Sequence, residues 1–151
     1  MHICCVCTGN TCRSPMLAAL LRQELAALGR NDVRISSAGI AAAPGAPASE
    51  HSVAAMRSLG IDISAHRSTP ATELDLAAVD HFLCLSGSHA MALIQAGVRT
   101  EAVSIVDAAA GGVPDPYGGS PEAYTACATV LAREARRIAN QLCDDEPPAE
   151  A

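Results

Sequence analysis

The sequence predicts a single-domain α/β fold, a four-stranded parallel sheet with helices on both faces. Three observations carry that expectation. Four short runs rich in Val, Ile, Leu and Cys alternate with longer stretches of helical spacing. Gly or Pro punctuates nearly every junction between them. Strands separated by helices cannot close as hairpins, so the sheet they build is parallel and covered on both sides. A chain of 151 residues suits one domain with a full core. Half the residues are apolar but only three are aromatic, so Ala, Val, Leu and Ile must fill that core.

Taken in order, residues 2–6 form an apolar first strand. Residues 16–28 form a helix with Leu17, Leu20, Leu21, Leu25 and Leu28 on one side, and Gly29 stops it. Residues 33–37 are a second strand. Residues 39–49 carry apolar letters, but their Ala, Pro and Gly content makes them a loop. Residues 50–59 are helical and end at Gly60; residues 65–70 are irregular, with Thr72 a candidate cap for a short helix. Residues 80–85 form a buried strand and 88–96 a helix ended by Gly97. Residues 102–106 are the fourth strand, and 111–120 a loop dense in turn residues. Residues 121–142 form the longest helix, opened by a Pro at a position where a missing N–H costs nothing. The folded domain then spans residues 1–143, and 144–151 are an acidic, Pro-containing tail expected to be disordered.

Between the first strand and the first helix lies Cys7-Thr8-Gly9-Asn10-Thr11-Cys12-Arg13-Ser14-Pro15. A thiol and a guanidinium are separated by five residues suited to a tight turn. In a strand–loop–helix the loop N–H groups converge, and the positive end of the helix dipole points into the cup. Arg13 adds a planar fork of donors matched to two phosphate oxygens. Thiols at helix N-termini beside cations are the reactive kind, and such a thiolate can attack phosphorus. Residues 8–14 are therefore a phosphate-binding loop following the first strand, with Thr8, Gly9, Asn10, Thr11, Cys12, Arg13 and Ser14 around the anion and Cys7 as nucleophile. Asn10 tolerates the left-handed conformation that inward N–H groups often need. Ser14 can cap the helix or bond the thiolate; Pro15 fits the first helical position.

A parallel sheet binds its ligand beyond the C-terminal ends of its strands. The Cys7 loop follows the first strand and the 111–120 loop the fourth, so both fall on that edge. Asp115, held extended between Pro114 and Pro116, presents its carboxylate there and suits general acid catalysis. Tyr117 forms one wall of the mouth or packs on its loop. Gly118 and Gly119 give the loop room to move or a substrate room to approach. Cys12 lies close enough in sequence to form a protective, reversible disulfide with Cys7, or simply fills the back of the loop. His66 and His89 have neither metal-type spacing nor a motif and read as packed or solvated residues.

These residues resemble the low-molecular-weight protein tyrosine phosphatases. The run V-C-T-G-N-T-C-R-S-P is similar to that family's signature, and the likeness extends to Ser37-Ala38-Gly39 and to Pro114-Asp115-Pro116-Tyr117-Gly118-Gly119. The resemblance implies a cysteinyl-phosphate intermediate, Asp115 as general acid, and no metal or cofactor. It also makes Thr11 the selector: members acting on phosphotyrosine usually carry Ile there, those acting on phosphoarginine Thr. The chain thus resembles the protein arginine phosphatases, with phosphorylated proteins as partners and tyrosine phosphatase activity as the alternative.

Composition narrows the remaining options. A net charge of −6 and a pI near 5.2 disfavour nucleic acid as a partner. No run reaches the ~20 apolar residues of a membrane span, and no basic leader precedes the first strand. Seven cysteines in such a chain fit a reducing, cytoplasmic setting with free thiols. Cys4 and Cys5 point to opposite faces of a strand and cannot share a metal ion. Nothing indicates an oligomer, so a monomer is the default. Two other functions compete. Arsenate reductases share the C-x5-R loop but relay oxidation through further cysteines, whereas here Cys84 stands apart from Cys127 and the relay looks absent. A pure phosphate-binding module would need neither thiol nor acid.

Overall fold

The computed structural model describes residues 1–146. Four strands, β1 (His2–Cys7), β2 (Arg34–Gly39), β3 (His81–Cys84) and β4 (Val103–Ile105), form one sheet in the order β2-β1-β3-β4. Every pair is parallel; Val6 stands opposite both Ala38 and Cys84, and Cys84 opposite Ile105. The helices are α1 (Arg13–Ala27), α2 (Glu50–Ser58), α3 (Gly87–Gln95) and α4 (Pro121–Asp145). Among the described residues, no helix is long and apolar enough to cross a membrane.

Strand alternation divides the core in two. Ile3, Cys5 and Cys7 face α1, α2 and α4, packing with Leu17, Leu21, Met56 and Leu131. Cys4, Val6, Phe82 and Cys84 face the other side, against Ala90 and Leu93 of α3. The central strand is thus buried on both faces, which explains its unbroken apolar run. Cys4 and Cys5 lie in different cores, and burial pushes the Cys4 thiol up to about 11 and Cys5 well above the ordinary value. Both are small buried hydrophobes rather than ligands.

Element ends differ from the sequence expectation in instructive ways. Helix α1 starts at Arg13, three residues early, so Pro15 sits in its third position; its missing N–H is still one of the four without an intrahelical acceptor. Leu28 caps the other end exposed, and the turn closes through Gly29 at φ 74° with the Arg30 N–H on the Leu25 carbonyl at 2.8 Å. Thr72 lies inside a one-turn 3-10 helix, Ala71–Glu73, and caps nothing. Helix α4 opens as expected, with Ser120 accepting from the Ala123 N–H and Pro121 following. It continues through Asp144 and Asp145, which were expected in the tail; residues 147–151 of that tail lie outside the described residues. Two acidic residues at a helix C-terminus oppose its dipole. Arg30 reverses that: almost fully buried, it donates to the carbonyls of Leu142 and Glu146 while holding Asp32 at 2.9 Å.

One glycine positions the site. A Cβ on Gly39 would stand 2.5 Å from the Thr8 carbonyl oxygen and 2.9 Å from the Asn10 nitrogen. Only glycine lets the end of β2 approach the loop that follows β1.

Candidate active site

Cys7, the expected nucleophile, is the last residue of β1 and opens the loop that follows it. Cys7 is 2% exposed, and its Sγ lies 2.9 Å from the Ser14 Oγ. Of the two roles open to Ser14, the structure selects the thiol partner: α1 has no side-chain cap at its N-terminus. Asn10 takes the left-handed conformation at φ 55° and is completely buried. Its amide donates to Ser14 Oγ at 2.7 Å and Ser37 Oγ at 3.0 Å, and its Oδ1 accepts from the Thr69 N–H at 2.9 Å. Asn10 and Ser14 therefore brace the loop from behind rather than lining its mouth.

Arg13 is 5% exposed and joins two loops. Its Nη1 donates to the Val113 carbonyl at 3.0 Å, and its Nη2 stands 3.4 Å from Asp115 Oδ2. Its buried Nε has no partner among the described residues. A buried donor left unpaired costs about 1–3 kcal/mol, which an anion at the Nε–Nη2 edge would relieve. That edge is the side-on fork that matches two oxygens of one phosphate. Asp115 is half-exposed; its Oδ1 accepts from the Tyr117 N–H at 3.1 Å, so one oxygen fixes the turn and the other faces the cup. Gly119 is drawn against its own loop, with its N–H on the Pro116 carbonyl at 2.8 Å. Gly119 is closed in by its own turn, while Gly118, at φ 75°, faces open space.

A cavity of about 200 Å³ brings Cys7, Thr8, Gly9, Thr11, Cys12 and Arg13 together with Asp115 and Tyr117. The two loops expected on one sheet edge do meet there. Tyr117 is 79% exposed and stands free at the rim. A larger cavity of about 790 Å³ runs along β3, β4 and α4, but it gathers no nucleophile and lies apart from this chemistry.

Three further groups act on the loop. His66 donates through Nε2 to the Asn10 carbonyl at 2.7 Å; burial holds its pKa below the usual histidine value. His89 is buried, with Nε2 2.8 Å from Thr8 Oγ1 and Nδ1 3.0 Å from Ser86 Oγ. Both histidines are packed, as expected, but packed onto the candidate site. Behind Cys12, its Sγ lies 3.7 Å from the Tyr124 hydroxyl and 3.4 Å from Ser49 Oγ. Burial and the adjacent Cys12 thiol push the Tyr124 phenol up. The only advance signal for His89 was its place just beyond the C-terminal end of β3, on the edge where both loops lie.

The sequence profile described as low molecular weight phosphotyrosine protein phosphatase matches residues 2–147. A protein-arginine-phosphatase of Bacillus subtilis is 36% identical over 150 residues, covering 96% of this chain and 99% of its own. Low molecular weight protein-tyrosine phosphatase A of Mycobacterium tuberculosis is 36% identical over 128 residues, or 79% of this chain and 77% of its own. Among solved structures, the arginine phosphatase YwlE, as a mutant with a phosphorylated active-site serine, superposes with a TM-score of 0.89 at 34% identity. It covers 97% of this chain and 98% of its own.

Proposed function

The chain belongs to the low molecular weight phosphotyrosine protein phosphatase family, and on that premise we propose that it hydrolyses phosphoarginine in proteins through a cysteinyl-phosphate. The observation that carries the reading is the cavity itself: thiol, carboxylate and a guanidinium whose Nε is unpaired share it, with Thr11 on its wall. The substrate phosphoryl group enters the cup, and its equatorial oxygens meet the loop N–H groups and the Nε–Nη2 edge of Arg13. Arg13 then has less hold on Asp115 Oδ2, which turns to the leaving atom. Cys7 Sγ attacks phosphorus in line as the P–N bond breaks, and Asp115 gives its proton to the departing guanidino nitrogen. In the second half, Asp115 takes a proton from water, water attacks phosphorus, and the S–P bond breaks to release phosphate. The phosphorylated active-site serine of the YwlE mutant supports covalent transfer to this position.

Arsenate reduction finds no support in the thiols. Cys84 lies in the α3-side core and Cys127 in the opposite one, with both pushed up to about 12 by burial. The sheet stands between them, so Cys84 and Cys127 do not form a paired relay.

Thr11 makes the substrate choice. Its hydroxyl offers a partner to guanidino N–H groups, whereas Ile offers only methyl contact suited to a phenyl ring. The wild type should prefer phosphoarginine peptides, and Thr11→Ile should shift the ratio of kcat/KM toward phosphotyrosine by at least about tenfold, or ~1.4 kcal/mol of differential transition-state binding. Both residues are β-branched, so the loop backbone tolerates the change. A wild type that prefers phosphotyrosine, or a ratio that does not move, would hand the reading to tyrosine phosphatase activity.

Cys7 and Cys12 border one cavity in one short loop. Peroxide should convert the Cys7 thiolate to a sulfenic acid, and the Cys12 thiol should then displace water to form a disulfide. Mass spectrometry of oxidised protein should show that crosslink, and a thiol reductant should restore activity. Irreversible overoxidation of the wild type, no worse in Cys12→Ser, would leave Cys12 as packing alone.

A further inference from the structure

We propose that His89 is a positioning residue that turns the Thr8 hydroxyl into an added donor toward the bound phosphoryl group. The inference rests on the phosphatase reading of the cup and concerns a part of it that lies outside the nucleophile, cation and acid.

A continuous chain of polar atoms leads from the surface to the loop. The exposed Ser88 Oγ lies 2.8 Å from Ser86 Oγ, Ser86 Oγ lies 3.0 Å from His89 Nδ1, and His89 Nε2 lies 2.8 Å from Thr8 Oγ1. Thr8 borders the same cavity as Cys7 and Arg13. The imidazole is buried and is faced by two charged groups, Arg13 and Asp115. Burial and the Arg13 cation push it down to about 4, against the weaker pull of Asp115, so the ring is neutral at physiological pH. One ring nitrogen then donates and the other accepts.

Only two proton arrangements satisfy the chain. In the outward one, Thr8 donates to Nε2 and Nδ1–H donates to Ser86, which leaves only lone pairs of Thr8 for the cup. In the inward one, Ser88 donates to Ser86, Ser86 donates to Nδ1, and Nε2–H donates to Thr8 Oγ1. The Thr8 proton is then free to point at an anion. An incoming phosphate selects the inward arrangement, because every dipole in the chain then presents its positive end to the charge and each bond polarises the next. In that arrangement Nε2–H occupies one lone pair of the hydroxyl and holds its proton turned away from the ring. Ser88 at the surface completes its own bonding with solvent.

The test uses the full chain at neutral pH and two readouts, calorimetric binding of inorganic phosphate and kcat/KM on an aryl phosphate. Thr8→Val and His89→Leu should each weaken phosphate binding and kcat/KM by roughly tenfold. The double variant should fall no more than about twofold below either single, because both changes remove one donor. His89→Gln should recover most of the loss, since its amide nitrogen can reach Thr8 Oγ1. Thr8→Ser, which keeps the hydroxyl, should lose far less than Thr8→Val, and this contrast tests the Thr8 donor even if His89→Leu does not fold, leaving His89→Gln to test the histidine. Wild-type phosphate affinity in Thr8→Val, or additive losses in the double variant, would overturn the proposal. A wild type that binds phosphate but never turns over the aryl ester would instead count against the phosphatase reading, and binding would still decide the role of Thr8.

Discussion

Cys7→Ser is expected to abolish turnover, by at least about 10⁴-fold in kcat, while phosphate or vanadate binding stays within a few fold of the wild type. The two effects separate because the parts are separate. On the proposed mechanism the anion is held by loop N–H groups and by the Nε–Nη2 edge of Arg13, neither of which involves Sγ. The position is buried and its neighbour Ser14 Oγ can bond a serine hydroxyl as it does the thiol, so the smaller oxygen fits without disturbing Asn10. What is lost is nucleophilicity, since a serine hydroxyl holds its proton far more tightly than a thiol does, and Ser14, the side chain bonded to this position, is no base. Any phosphoryl group that did reach the serine oxygen would be stranded there, because an alkoxide leaves far less readily than a thiolate. Steady-state hydrolysis by the purified variant, set beside its oxyanion affinity, checks both halves. Substantial turnover would refute Cys7 as nucleophile, and lost affinity would show that Sγ helps to build the cup.

The candidate site was legible where it is contiguous or fixed by topology, and illegible where it depends on long-range packing. Cys7 through Ser14 carry their chemistry in one short stretch, and a parallel sheet forces the loops after its first and last strands to a common edge. That reasoning alone places Asp115 near Cys7, and the 3.4 Å approach of Arg13 to Asp115 agrees. His89 and His66 reach the loop across 81 and 56 residues, and Tyr124 reaches Cys12 across 112, with no local pattern to announce them. Helix ends behaved similarly. The end of α4 was misplaced because Asp144 and Asp145 oppose the helix dipole, and only the structure brings Arg30 to those carbonyls. Gly118 and Gly119 were read for freedom, yet a Cβ at Gly119 would stand 2.9 Å from the Pro116 carbonyl oxygen. The turn is tight at Gly119 and open at Gly118, and it is Pro114 and Pro116 that give the Asp115 carboxylate a stiff support.

That stiffness shapes the second large effect. Asp115→Asn should slow substrates with poor leaving groups by about 10²–10⁴-fold and activated aryl phosphates far less, since a good leaving group departs without a proton. Asn keeps an oxygen for the Tyr117 N–H, so the turn that Asp115 Oδ1 stabilises at 3.1 Å should survive. The substitution also changes the group beside Arg13 Nη2. That change alters anion binding for every substrate alike and therefore cancels in the comparison between leaving groups. The quantity to measure is thus the ratio of kcat/KM for an unactivated alkyl or guanidino phosphate to that for an activated aryl phosphate, in wild type and variant. A ratio that falls by two orders of magnitude or more assigns Asp115 the proton transfer to the leaving atom. Equal losses on both substrates would instead make Asp115 a structural anchor, one that holds Arg13 and the Pro114-Asp115-Pro116 turn in place, and proton transfer would have to be sought in another group.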